Sequence, residues 1–136
     1  MEMIEYNKSE LWEQLSTYAW DARSKAKLVK TKSTKVGASI LSDNGDIFIG
    51  CNAQHKFRSH DIHAEIAVIC NMFSNSNSLI NKILIVSERD FLTPCGSCLD
   101  WIMRFSNEKT KVGIQSNLKG KIRIFNLDEL IPYYPK

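Results

Sequence analysis

Apolar residues near the start of the chain recur every three or four positions. In the segment SELWEQLSTYAWDARSKAK they are Leu11, Leu15, Tyr18 and Ala22. This spacing predicts an amphipathic helix that packs one face on the rest of the protein. Ser9, just before the periodic residues, is a residue type that caps helices.

The pattern then changes to two short apolar runs, KVGASILS and DIFIGCN, which flank the tripeptide Asp43-Asn44-Gly45. An Asn-Gly pair supplies the positive φ angles of a tight hairpin turn. The sequence therefore predicts two antiparallel strands joined by this turn.

Helices and strands alternate through the remainder of the chain. Residues 63–73 and 95–105 have helical spacing, KILIVSE is a continuous apolar strand, and KVGIQS and KIRIF supply two last strands before a short turn at LDELIP. Strands interleaved with helices indicate an α/β fold, in which helices cover a sheet. No repeat or linker divides the chain, so we expect a single domain over residues 1–136.

Composition limits the possible partners and location of this domain. The chain is 43% hydrophobic, which is enough for one core. Its net charge of +3 is too small to indicate nucleic acid as a partner. The first residues lack the pattern of a secretory leader, and no apolar run approaches the roughly twenty residues of a membrane span. We therefore expect a cytoplasmic protein without a membrane segment, whose cysteines stay reduced for metal or redox chemistry.

One segment carries a local excess of positive charge. Its lysines, which precede the predicted strand at VGASIL, are Lys25, Lys27, Lys30, Lys32 and Lys35. A solvated loop is favoured over a site for an anionic substrate, since charge runs are most often solvated.

Two short motifs carry candidate chemistry: His63-Ala64-Glu65, and a C-x-x-C pair at Cys95 and Cys98. Zinc accepts imidazole nitrogen and thiolate sulfur, and a catalytic zinc keeps three protein ligands and leaves a fourth position for water. His63, Cys95 and Cys98 are three such ligands. Glu65 is suited to carry protons to and from the water that the metal activates.

Other possible ligands fit less well. Cys70 lies about two helical turns, or roughly 10 Å, beyond His63, and is interpreted as a small buried apolar residue. Cys51 ends a strand and is assigned to the core, while His55 and His60 lie in a polar loop. A fourth ligand from this group would make the zinc structural rather than catalytic.

The pattern H-x-E followed by P-C-x-x-C is that of zinc-dependent nucleobase deaminases. More specifically, the chain resembles the small cytidine deaminases and the related blasticidin-S deaminases, which share V-G-A, G-x-N and a terminal L-L-P in the same order. Here these are VGA at residues 36–38, GCN at 50–52 and LIP at 130–132. The resemblance implies a three-layer cytidine deaminase-like fold, with a mixed five-stranded sheet flanked by helices. It also implies a homo-oligomer, a homotetramer or a dimer, and a role in pyrimidine salvage.

The resemblance also implies roles for individual residues of the site. It implies Zn²⁺ on His63, Cys95 and Cys98, catalysis by Glu65, and substrate contacts from Asn52, Gln54 and the Ala64 backbone. Tyr133 and Tyr134 lie where the family has an aromatic residue near a substrate site, although packing of the tail is favoured for them.

The chain departs from the typical cytidine deaminase at several positions. Cysteine is usual where His63 stands, and arginine is frequent where Ile66 stands. Two thiolates with a neutral imidazole leave a zinc centre neutral, so a compensating arginine is less needed. Gln54 replaces a usual glutamate, and Thr34 replaces a usual aromatic residue. These changes favour a modified or enlarged cytosine nucleoside over cytidine itself, and leave open whether the substrate is phosphorylated.

We therefore expect hydrolytic deamination of a cytosine-type nucleoside such as cytidine, deoxycytidine or a blasticidin-like compound, with water as co-substrate and no organic cofactor. One alternative is a nucleic-acid-editing deaminase, although a nucleic-acid partner is not expected. Another is a non-catalytic zinc or dithiol module.

Overall fold

The computed structural model describes residues 10–90 and 92–135, so the predicted cap Ser9 lies outside the described residues. The helices and strands follow the predicted alternating order. They are α1 (Glu10–Arg23), β1 (Gly37–Ser42), β2 (Ile47–Cys51), α2 (Ala64–Asn75), β3 (Ile80–Val86), α3 (Gly96–Arg104), β4 (Ser106–Gln115), β5 (Ile122–Asn126) and α4 (Leu127–Leu130), with a 3-10 turn at Arg58–His60.

The five strands form one mixed sheet in the order β2-β1-β3-β4-β5. Strand β1 is antiparallel to β2 and β3, β3 is parallel to β4, and β4 is antiparallel to β5. Ile83 of the central strand pairs with Ile40 on one side and Val112 on the other. The predicted mixed five-stranded sheet is confirmed.

Helices cover both faces of this sheet, which gives three layers. On one face α1 packs Trp12 and Leu15 against Leu84 and Val86. On the other face the core includes residues of β1, β3, α2 and α3: Ile40, Ile83, Val68, Met72 and Ile102. Successive side chains of β3 point to opposite faces. Because both faces are covered, the buried residues 83–86 of β3 are all apolar.

The turn between β1 and β2 differs from the prediction. Gly45 has a φ of 94°, but Asn44 is not among the described residues with positive φ. The Gly45 amide donates to the Ser42 carbonyl at 3.0 Å, and the Ser42 amide donates to the Asp46 carbonyl at 2.8 Å. The turn over residues 42–45 therefore needs positive φ at one position only, its last residue Gly45.

Two element boundaries also differ. Strand β4 was predicted to begin at Lys111, but it begins at Ser106, which pairs with Ile80 of β3. The predicted turn at LDELIP is instead the short helix α4, which Asn126 and Glu129 stabilise through a reciprocal capping box.

A close approach fixes the position of α2. A Cβ atom added at Gly50 of β2 would lie 2.5 Å from the backbone nitrogen of Val68, so only glycine lets the helix pack at this depth. The first turn of the same helix carries Glu65, with His63 just before it. Among the described residues, the helices are all too short or too polar to cross a bilayer.

Candidate active site

Three side chains from two separate segments of the sequence converge at the N-termini of two helices. The Nδ1 atom of His63 lies 3.3 Å from Sγ of Cys98 and 3.4 Å from Sγ of Cys95. All three potential ligand atoms lie within 4.8 Å of one another. The structure therefore brings together the three predicted metal ligands.

Local backbone geometry explains why these residues meet. His63 and Cys95 are the N-cap residues of α2 and α3, and both have extended backbone angles. The backbone amide of Cys98 donates to Sγ of Cys95 at 3.4 Å. A helix N-terminus carries a partial positive charge, and both cysteines lie at this end of α3.

The donor set has the chemistry and the spacing of a zinc site. Zinc bonds of about 2.3 Å to sulfur and 2.0–2.1 Å to nitrogen, set at tetrahedral angles, separate the two donors by roughly 3.5 Å. The measured nitrogen–sulfur distances of 3.3 and 3.4 Å are close to that value. Cys98 is buried, whereas His63 and Cys95 are exposed, so one side of the site is open to water and small molecules.

No fourth ligand joins this group within residues 10–90 and 92–135. His55 and His60 form an aromatic cluster with Phe57. Cys51 is partly buried. Three ligands are what a catalytic metal site requires, because the remaining position stays free.

The prediction that Cys70 is buried is wrong, since this cysteine is exposed. Seven residues correspond to almost two full helical turns, so Cys70 shares the helix face of the exposed His63. The core is instead contacted by Val68, Ile69 and Met72.

Glu65 lies beside the converging ligands in the first turn of α2. Its side chain is buried, with 6% of the residue exposed, and burial raises the pKa of its carboxyl group. His63 and the Cys98 side chain act on this pKa in the opposite direction, but burial is the larger effect. Burial, and then the charge of Glu65, raise the pKa of the Cys98 thiol, an effect that a bound cation would oppose.

A cavity of about 330 Å³ adjoins His63. Its lining residues are Ser33, Thr34, Val36, Asn52, Ala53, Gln54, Arg58, Asp61, Ile62, His63 and Arg89. Sequence analysis did not single out Arg58 or Arg89. Only their positions in the sequence could have indicated that they lie near the site: Arg58 lies five residues before His63, and Arg89 follows the central strand β3.

Asn52 and Gln54 both line this cavity, but their amide groups contact the protein backbone. Oδ1 of Asn52 accepts from the Val36 amide at 2.8 Å, and Nδ2 donates to the Thr34 carbonyl at 3.0 Å. Oε1 of Gln54 accepts from the Val29 amide at 3.0 Å. These bonds hold the lysine-bearing segment against the cavity. Ala64, the third expected substrate contact, is fully buried at the start of α2.

The C-terminal tyrosines lie away from the His63 cavity. Tyr133 is fully exposed. Tyr134 donates a hydrogen bond to Asp100 and lines a second cavity of about 1050 Å³ beside α3 and β4. In this chain the two residues therefore do not contact the converging ligands.

Comparison with known proteins finds a match over most of the chain. Residues 9–114 match the family described as the cytidine and deoxycytidylate deaminase zinc-binding region. A cytidine deaminase of Sporosarcina psychrophila is 30% identical over 98 residues, which cover 71% of each chain. Cytidine deaminase 7 of Arabidopsis thaliana is 29% identical over 105 residues, but the match covers only 34% of that longer protein.

Solved structures show the same architecture. The crystal structure of cytidine deaminase from Mycobacterium tuberculosis superposes with a TM-score of 0.74 at 26% identity, covering 90% of this chain and 94% of that one. Cytidine deaminase from Burkholderia pseudomallei gives a TM-score of 0.80 over 88% of this chain and 95% of that chain. Because the sequence identity to the Burkholderia pseudomallei protein is only 24%, this superposition shows a shared fold and nothing more.

Proposed function

This chain belongs to the cytidine and deoxycytidylate deaminase family, and from that premise we propose that it catalyses zinc-dependent hydrolytic deamination of a cytosine-type nucleoside. The observation that carries the proposal is the convergence of His63 Nδ1 with the sulfurs of Cys95 and Cys98 beside the buried carboxylate of Glu65.

His63, Cys95 and Cys98 would hold the zinc ion. Bound there, zinc supplies the Lewis acidity that makes water a nucleophile near neutral pH. The two cysteines would bind as thiolates. His63 would bind through Nδ1, because that nitrogen lies within 3.4 Å of both sulfurs.

Glu65 would move the protons of the reaction. Its carboxylate takes a proton from the attacking water and passes it to the ring nitrogen, which makes the neighbouring carbon electrophilic. It then passes the second proton of that water to the departing ammonia. Burial of Glu65 keeps bulk water from exchanging these protons.

The cavity beside His63 would bind the sugar side of the substrate. We propose Gln54 as a contact there, since it lines the cavity and, among the described residues, its side chain bonds only the Val29 amide, through its oxygen. The Ala64 backbone is proposed to face the pyrimidine carbonyl. Asn52 is proposed to act mainly by shaping the cavity wall, because both atoms of its amide bond the backbone of residues 34 and 36.

The two alternatives are less well supported. The relatives described above are all named cytidine deaminases, which does not favour a nucleic-acid-editing enzyme. A non-catalytic zinc or dithiol module would leave a buried carboxylate beside the ligands without a role.

Three further expectations stay predictions: a homotetramer or dimer, a cytoplasmic location and a role in pyrimidine salvage. Light scattering measures the oligomeric state.

Ammonia release from cytidine, deoxycytidine, their 5′-phosphates and blasticidin-type compounds, combined with metal analysis of the same sample, tests the proposal. We expect turnover of at least one of these compounds by protein that holds about one zinc ion per chain. Zinc-loaded protein that deaminates none of them would contradict it.

A further inference from the structure

One backbone carbonyl, that of Lys35, is held by two side chains from other parts of the fold. The hydroxyl of Ser87 donates to this carbonyl at 2.7 Å, and Nε of Arg23 donates to it at 3.2 Å. The two chain neighbours of Lys35, which are Thr34 and Val36, both line the cavity of about 330 Å³ described above. The position of this carbonyl therefore affects two residues of the cavity wall.

Ser87 is a fixed point from which such a bond can be made. It directly follows the central strand β3 and is fully buried. Its amide donates to the Gln115 carbonyl at 3.3 Å, and its carbonyl accepts from the Arg89 amide at 2.9 Å. The backbone of Ser87 is thus bonded through both of its polar groups. Ser87 itself does not line the cavity, so it can act there only through Lys35.

The segment that contains Lys35 depends on hydrogen bonds for its position. Apart from an isolated bridge at Lys27, residues 24–36 form no helix or strand, and none of their side chains is buried. Little apolar surface therefore fixes this segment on the rest of the protein. At its end, next to β1, the bonds from Ser87 and Asn52 hold it.

A second serine makes the same kind of bond elsewhere in the fold. Ser39 of β1 is also fully buried, and its hydroxyl donates to the Leu15 carbonyl at 2.7 Å. This bond joins β1 to α1, and neither of its residues lines the cavity. Ser39 and Ser87 therefore match in burial and in bond length but hold different parts of the molecule.

We propose that Ser87 is a positioning residue of the substrate cavity. Through the Lys35 carbonyl it holds Thr34 and Val36 at the place where they meet the substrate. The inference rests on the proposed deaminase function, which assigns this cavity to the sugar side of the substrate. Because Ser87 does not touch the substrate, its loss weakens binding and leaves the chemical step at Glu65 unchanged.

Ser87→Ala tests this inference, and Ser39→Ala is the matched control. The kcat and KM of each protein are measured with cytidine and with deoxycytidine, and the Tm is measured on the same samples. Hydrogen exchange of the Val36 amide is followed by NMR without substrate. This amide donates to Oδ1 of Asn52 at 2.8 Å, so its exchange rate reports on the cavity wall independently of catalysis.

Ser87→Ala should raise KM roughly two- to tenfold, the factor that corresponds to one neutral hydrogen bond, while kcat stays unchanged. The Val36 amide should exchange faster in this variant, because the wall opens more often. Both serine variants should lower the Tm, since each removes a buried hydrogen bond. Ser39→Ala should nevertheless keep the KM and the Val36 exchange rate of the wild type.

Arg23→Met decides the matter if Ser87→Ala does not fold. Methionine keeps an apolar side chain at the end of α1 but removes the second donor to the Lys35 carbonyl. The ion pair of Arg23 with Glu88 spans 3.6 Å, and the Glu88 side chain is 67% exposed, so its loss costs little. KM and Val36 exchange should rise as in Ser87→Ala but by a smaller factor. Wild-type values in Arg23→Met would then overturn the inference.

Unchanged KM and Val36 exchange in Ser87→Ala, or equal changes in Ser87→Ala and Ser39→Ala, would overturn the positioning role and leave the deaminase function intact. A fall in kcat at constant KM would assign Ser87 to the chemical step and overturn the inference as well. Faster Val36 exchange in Ser87→Ala alone, in a protein that deaminates no cytosine compound, would support the positioning role and contradict the proposed function instead.

Discussion

The Nδ1 atom of His63 lies 3.3 Å from the Sγ atom of Cys98, although 35 positions separate the two residues in sequence. Each belongs to the first turn or cap of a different helix, and those helices pack on the same face of the sheet. The fold thus places two helix N-termini together, and the proposed metal ligands are side chains at these N-termini.

Cys98→Ala should lose the metal. A thiolate is removed from a three-ligand set, and metal binding is coupled to stability, so the zinc content should fall from about one ion per chain to near zero and the Tm should fall with it. Elemental analysis and thermal unfolding of the purified variant measure both quantities. Cys70→Ala is the matched control, because Cys70 is an exposed cysteine outside the site. Full zinc retention in Cys98→Ala and in Cys95→Ala would remove the proposed centre.

Asn52→Ala should destabilise the wall of the His63 cavity. It removes hydrogen bonds to the Val36 amide and the Thr34 carbonyl, and leaving such partly buried groups unpaired costs about 1–3 kcal/mol. Urea denaturation measures the free energy of unfolding, and KM should rise because the wall is loosened. Asn52→Asp keeps the acceptor for Val36 and should recover part of the loss. Unchanged stability in Asn52→Ala would show that these bonds contribute nothing.

Gly50→Ala should displace α2. The new methyl group would lie 2.5 Å from the backbone nitrogen of Val68, and overpacking of this kind costs about 1–3 kcal/mol. Because His63 and Glu65 are carried by the start of α2, zinc affinity should fall as well. At Gly96 an added Cβ meets nothing within 4 Å, so Gly96→Ala serves as the stability control. A Gly50→Ala protein with unchanged stability and zinc affinity would mean that this close packing does not set the site.

The sheet and the convergence of His63, Cys95 and Cys98 could be predicted because both depend on local or strongly patterned signals. Residues 83–86 of β3 are a continuous apolar run, and the three side chains belong to two compact motifs. The polar start of β4 was missed, because Ser106 joins the strand only by pairing with Ile80, and because Thr110 Oγ1 donates to the Ile80 carbonyl at 2.6 Å. Neither contact leaves a hydrophobic pattern.

The roles of Asn52 and Gln54 could not be predicted from their neighbours in sequence. Gln54 accepts from an amide 25 positions away, and the partners of Asn52 are 16 and 18 positions away. Their residue types indicated polar contacts, but only the folded segment identifies backbone groups as partners. Arg58 and Arg89 likewise meet at one cavity only through the fold.

Deamination by Glu65→Gln tests the central claim most directly, because this change removes the proton carrier and leaves all three ligands in place. The variant should hold as much zinc as the wild type and keep its Tm, while kcat for the best cytosine substrate falls by about 10²–10⁴-fold. Glu108→Gln, an exposed carboxylate of β4, should keep full activity. The measurement is the loss of cytosine absorbance and the release of ammonia, with zinc determined on the same samples. Zinc-loaded Glu65→Gln that turns over at the wild-type rate would contradict the account.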